Sequence, residues 1–132
     1  MGSRLWQPYR IGRMELKNRI VMSPMGTKHA SGDGYVTDCL KDYFEARARG
    51  GAGLIIVEAT LVHPRGRGFE NLLEITEDQF IPGLKELVQV IHRHGAKAAL
   101  QLQHCGRVAK SKLSGMQPVA PSPDPRPFLP SF

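Results

Sequence analysis

The sequence predicts an α/β fold, part of a barrel in which parallel strands alternate with helices. Three apolar segments each run into polar or glycine-bearing residues: Arg19-Ile20-Val21-Met22-Ser23-Pro24-Met25-Gly26-Thr27, Gly53-Leu54-Ile55-Ile56-Val57-Glu58-Ala59-Thr60, and Ala96-Lys97-Ala98-Ala99-Leu100-Gln101-Leu102-Gln103-His104-Cys105-Gly106-Arg107. Segments with helical apolar spacing separate them. In parallel-sheet and barrel enzymes the strand interior is apolar and ligand-facing groups gather at its carboxyl end. Gln101, His104 and Arg107 therefore stand where a cofactor would sit.

The elements follow in order. Residues 9–16 alternate around Gly12 and predict a short hairpin ahead of the first barrel-like strand at 19–23, placed to plug one end of a sheet. After the loop Ser31-Gly32-Asp33-Gly34, Thr37 is a natural N-cap and Asp38 suits the first turn of a helix running to about Ala48. Leu40, Tyr43, Phe44 and Ala48 give that helix one apolar face, and Gly50-Gly51 ends it. A second helix is signalled by a capping box, Thr76 with Gln79, flanked by Ile75 and Phe80 in hydrophobic-staple positions. Pro82 offers another start: the regular helix begins there and 77–81 form a tighter lead-in turn, since proline is tolerated only near a helix's beginning. Leu84, Leu87, Val88 and Ile91 carry the buried stripe up to Gly95. A helix between two apolar strands is a right-handed parallel crossover.

Composition narrows the function. The chain has 132 residues, 41% hydrophobic and 23% charged, ordinary values for a single globular domain. No apolar run approaches the roughly 20 residues of a membrane span, and Met1-Gly2-Ser3-Arg4 lacks the apolar core of a secretory signal, so a cytoplasmic protein without a membrane partner is expected. Cys39 and Cys105 form no CxxC pair and imply neither a disulfide framework nor a metal site. The net charge of +6 is scattered: Arg47 and Arg49 close one helix, and His92, Arg93 and His94 close the other. Cations there complement the helix dipole, and no basic stripe interleaves with aromatics, so no nucleic-acid partner is expected.

From Ser111 onward the chain turns to Pro, Ser and Gly, with prolines at 118, 121, 123, 125, 127 and 130, and 108–132 are expected to form an extended loop. Three parallel strands with two helices leave apolar sheet edges unpaired. The expectation is one domain over 1–132 that is the amino-terminal portion of a barrel, with the remainder absent.

The residues Leu16-Lys17-Asn18-Arg19-Ile20-Val21-Met22-Ser23-Pro24-Met25-Gly26-Thr27, then 53–60, then Gln101-Leu102-Gln103-His104-Cys105-Gly106-Arg107, joined by Gly83-Leu84 and His94-Gly95-Ala96-Lys97, resemble the old yellow enzyme family of NADH:flavin oxidoreductases. The resemblance runs over nearly the whole chain and is nearer to the 2,4-dienoyl-CoA reductase and NADH oxidase branch. It implies an FMN-binding (β/α)8 TIM barrel, here its hairpin, first three parallel strands and two helices. NADH or NADPH would pass a hydride through FMN to the C=C bond of a small α,β-unsaturated carbonyl substrate. By the same resemblance Pro24, Met25, Gly26 and Thr27 would line the flavin, Ala59 would pack near its pyrimidine edge, and Gln101 would hydrogen-bond its polar edge. Gln101 suits that role chemically, since a carboxamide offers a donor and an acceptor to a ring that presents carbonyls beside an N–H. Where some relatives carry Cys or Thr after the Pro-Met pair this chain has Gly26, so flavin tuning would rest on backbone contacts. The family's carbonyl-binding His–His or His–Asn pair, its phosphate-binding loops and, in larger members, an iron–sulfur cluster would all lie beyond residue 132.

Plainer roles stand beside these. Gln101 also suits a loop cap. His104 and Arg107 suit a supporting shell, His104 by ordering the following loop and Arg107 by donating to buried carbonyls. Glu58 is expected to pair with a basic neighbour inside the barrel, and Lys28 and His29 to lie in a loop that reaches substrate or only solvent. For the chain as a whole, a short subunit that completes its barrel with another chain or a second copy, and a small basic module without flavin, compete with the reductase reading.

Overall fold

The computed structural model describes residues 3–122. Two antiparallel strands, β1 (Tyr9–Ile11) and β2 (Met14–Leu16), form the expected hairpin, with Gly12 at φ 57° making the turn. The first parallel strand is much shorter than its apolar run: β3 covers only Val21–Met22. Its residues from Ser23 on leave the sheet as a loop. Asn18 fixes the strand's start, its side chain donating to Gly51 O at 2.7 Å and accepting from Ile20 N at 3.0 Å.

Helix α1 (Asp38–Arg49) begins as expected, with Thr37 Oγ1 accepting from Leu40 N at 3.2 Å. Leu40, Phe44 and Ala48 are buried on one face, while Tyr43 is half-buried under the Arg47 guanidinium, 3.5 Å from its ring centre. The long central strand β4 (Leu54–Leu61) pairs in parallel with β3 through Val21 and Leu54, and with β6 (Lys97–Gln103) from Leu54–Lys97 to Leu61–Gln103. A further strand, β5 (Leu73–Glu74), lies against the end of β4 in the register Thr60–Leu73. Two residues are too few to give a periodic signal, and the sequence reading missed it.

The second helix takes the alternative start. Thr76 Oγ1 donates to Glu74 Oε2 at 3.1 Å, so its hydroxyl serves β5 and the capping box does not form. A tight 3-10 turn, Asp78–Phe80, leads into α2 (Ile81–His92), with Pro82 in its first turn. Its buried face is Leu84, Leu87, Val90 and Ile91; Val88, expected inside, is half-buried and Val90 takes its place. One apolar core joins the helices to the sheet, uniting Phe44, Leu87 and Ile91 with Ile55 and Val57 of β4, and Ala98 and Leu100 of β6 pack against it.

Beyond β6 comes a 3-10 turn, Gly106–Val108, and then a four-residue helix, α3 (Ser111–Ser114), inside the stretch expected to be extended. The prolines at 123, 125, 127 and 130 lie outside the described residues. Among the described residues β6 pairs only with β4, leaving its far edge open and Leu102 64% exposed. No described helix is long and apolar enough to cross a membrane.

Candidate functional site

The loops that follow β3, β4 and β6 emerge at one end of the parallel sheet and bind one another. Cys105 N donates to Gly66 O at 3.0 Å, Val62 N to Gln103 O at 3.2 Å, and Lys110 N to Arg67 O at 2.8 Å. The contacts are close because glycines permit them: a Cβ on Gly66 would stand 2.6 Å from the His104 ring, and one on Gly68 2.5 Å from Cys105 Sγ. Arg67 is also ion-paired with Glu74 of β5 in a largely buried setting.

Strand alternation places the candidate residues on this end. Ala98 and Leu100 face the helices, so Ala99, Gln101 and Gln103 belong to the opposite face of β6. Ala59 stands opposite Gln101. It does so because β4 carries a bulge: the register steps from Val57–Leu100 to Ala59–Gln101, with Glu58 as the extra residue. Thr60 Oγ1 donates to Glu58 O at 2.9 Å and braces that irregularity.

Glu58, only 1% exposed, accepts the Thr27 backbone N–H on Oε2 at 2.8 Å. The sequence reading expected a basic partner; the partner in the structure is a main-chain donor in the loop after β3. The bulge explains the difference, since it turns the carboxylate toward that loop, and no alternating pattern reveals a bulge in advance. Thr27 Oγ1 in turn accepts from His29 N at 3.1 Å, and Lys28 between them adopts φ 61°. Thr37, the cap of α1, donates its hydroxyl to His29 O.

The remaining candidates are distributed as follows. Pro24 is half-buried, Met25 is 55% exposed, and Gly26 has open space where a side chain would be. Gln101 is exposed and its carboxamide makes no hydrogen bond to a described residue. His104 accepts the Gly106 N–H on Nδ1 at 2.9 Å, which orders the turn that contains Arg107. Its ring centre lies 6.2 Å from that of His63. His29 meets the Tyr43 ring edge-on at 5.7 Å.

Two residues at this end escaped the sequence reading. Gln103 donates from Nε2 to Cys105 Sγ at 3.2 Å, while its Oε1 is buried without a partner among the described residues. Burial pushes the Cys105 thiol up, against the lowering effect of the Gln103 hydrogen bond, so it is held as a neutral thiol at neutral pH. Among the described residues no cluster of three or more His, Cys, Asp or Glu is placed to hold a metal ion.

Residues 4–127 match the model of the NADH:flavin oxidoreductase / NADH oxidase family. The chain belongs to that family. It is 45% identical over 127 residues to an NADH oxidase of Thermoanaerobacter brockii, covering 95% of this chain and 20% of the relative. An NADPH dehydrogenase of Listeria monocytogenes is 46% identical, with 93% of this chain and 36% of the relative covered. Among solved structures, the old yellow enzyme homologue from Zymomonas mobilis superposes with a TM-score of 0.86 at 36% identity, over 96% of this chain and 35% of that one. Morphinone reductase superposes with a TM-score of 0.80 at 38% identity, over 89% and 31%. The chain thus has the fold of part of an old-yellow-enzyme TIM barrel and spans between a fifth and about a third of these proteins. Members of the family are oxidoreductases that use flavin with NADH or NADPH.

Proposed function

We propose that this chain supplies the FMN-contacting face of an ene-reductase, which passes a hydride from NADH or NADPH to the C=C bond of an α,β-unsaturated carbonyl compound. One observation carries the reading: an exposed carboxamide, Gln101, whose donor and acceptor bond no described residue, on the face turned away from the helices at the carboxyl end of a parallel strand. The donor set suits a flavin's polar edge, and the neighbouring positions suit a flat ring, Ala59 being small and Gly26 bare.

When bound, FMN supplies the hydride relay between the nicotinamide and the activated double bond. The chain's own residues bind and orient. Gln101 would donate and accept at the polar edge, Ala59 would leave room beside it, and Met25 and Pro24 would offer apolar surface. Gly26 and Thr27 would let backbone approach the ring, while His104 and Arg107 would support the adjoining turn. Among the described residues the far edge of β6 is unpaired, which favours a companion reading in which further barrel strands, of this polypeptide or another, complete the barrel.

Native mass spectrometry tests both together. FMN retained by the protein that holds this chain together with further barrel strands is the expected result; that assembled protein without flavin would sink the proposal. Within a flavin-loaded complex, Gln101→Leu is expected to lower FMN retention about tenfold with little loss of folding, because the carboxamide's two hydrogen bonds disappear together. Unchanged flavin content would remove Gln101 from the site.

A further inference from the structure

We propose that Glu58 is the positioning residue of this face: its buried carboxylate, displaced from the strand by the β4 bulge, sets the conformation of the 24–28 loop by holding the Thr27 N–H. The inference rests on the FMN-face reading for its consequence, though not for its geometry. Three features build it. The bulge removes Glu58 from the row occupied by Gln101 and leaves Ala59 in its place. Thr60 Oγ1, fully buried, donates to Glu58 O at 2.9 Å and fixes the bulge itself. Glu58 Oε2 then accepts from Thr27 N at 2.8 Å, a contact spanning 31 residues of sequence.

The hydrogen bonds continue past Thr27. Its hydroxyl accepts from His29 N, His29 O accepts from Thr37, and Thr37 caps α1 by accepting from Leu40 N. The carboxyl side of the loop is therefore held twice, at Thr27 by a carboxylate in the sheet and two residues later at His29 by a helix cap. Such double anchoring is what a preorganised binding loop requires, because an unanchored loop would lose conformational freedom on each binding event. A carboxylate is suited to the sheet end, as charge-assisted hydrogen bonds are about twice as strong as neutral ones. A carboxamide oxygen would do the same job less well.

Three variants separate positioning from mere filling of space. Glu58→Leu removes the acceptor, Glu58→Gln keeps one, and Thr60→Val removes the brace while leaving Glu58 in place. Hydrogen exchange at the Thr27 amide reads the anchor directly, with the β4 amides of Ile55, Ile56 and Val57 as the control for intact folding. Exchange at Thr27 is expected to rise about tenfold or more in Glu58→Leu and Thr60→Val, and to stay within about threefold of the parent in Glu58→Gln. FMN affinity of the loaded protein is expected to follow the same order.

Parent-like exchange at Thr27 in Glu58→Leu overturns the proposal, and so does Glu58→Gln behaving as Glu58→Leu. If Glu58→Leu does not fold, Thr60→Val against Glu58→Gln decides the point by the same readout, with parent-like exchange in Thr60→Val overturning it. A parent protein that binds no FMN would instead remove the reading of the face and leave the Thr27 result standing.

Discussion

Side chains at the two ends of the strands serve different purposes. Before β6, Lys17 Nζ donates to His94 O at 2.7 Å, and His94 Nε2 lies 2.9 Å from Glu45 Oε1, so this end is tied together by partly exposed polar pairs. The His94 hydrogen bond holds the Glu45 carboxyl below its ordinary value of 4.5, with the charges of His94, Arg93 and Arg49 acting in the same sense and burial opposing them. A carboxyl depressed in the folded state stabilises the fold above its unfolded value, and the gain disappears as pH falls through the folded value. Thermal melts across an acid series are therefore expected to show a stability gap between the parent and Glu45→Gln that narrows below pH 4.5; a gap independent of pH would rule the pair out. At the opposite end, Gln101 was singled out because polar residues follow an apolar run, and Ala59 only through the family resemblance. Glu58 was legible only as a buried acid. Its partner depends on a bulge, which alternation of apolar and polar residues does not encode.

The helices and the long strands were readable because their signals repeat. Leu40, Phe44 and Ala48 recur at helical spacing on α1, and Thr37 caps that helix as its chemistry dictates. Short elements carry no such repetition: β3 shrinks to two residues and β5 gave no signal. The start of α2 went to the proline reading because Thr76 found Glu74, a competitor outside the helix that local sequence does not disclose. Phe44 is fully buried where α1 meets the sheet and α2. Phe44→Ala is expected to cost about 3–5 kcal/mol by loss of transfer energy and creation of a cavity, measured by urea unfolding. A cost under about 1 kcal/mol would mean that the core closes over the gap or is not formed as described.

For the described chain as a whole, the open sheet edge is the feature that bears on association. Among the described residues β6 has one open side and its Leu102 is 64% exposed, and such edges pair with other chains. Sedimentation velocity on the isolated chain is expected to show association that grows with concentration and is reduced by Leu102→Lys; a monomer at every concentration would mean that the edge is covered in solution. Coverage of 20% of one relative and 36% of another accords with a sheet that has pairing capacity to spare. The loops after β4 and β6 bear on how a ligand reaches the interior. They are stitched by main-chain bonds from Cys105 to Gly66 and from Lys110 to Arg67, with two glycines pressed against His104 and Cys105. Neither loop can swing without carrying the other, so together they form a fixed wall and not a pair of doors. In the proposed flavin face such a wall would contribute a fixed shape, and any opening would fall to other segments.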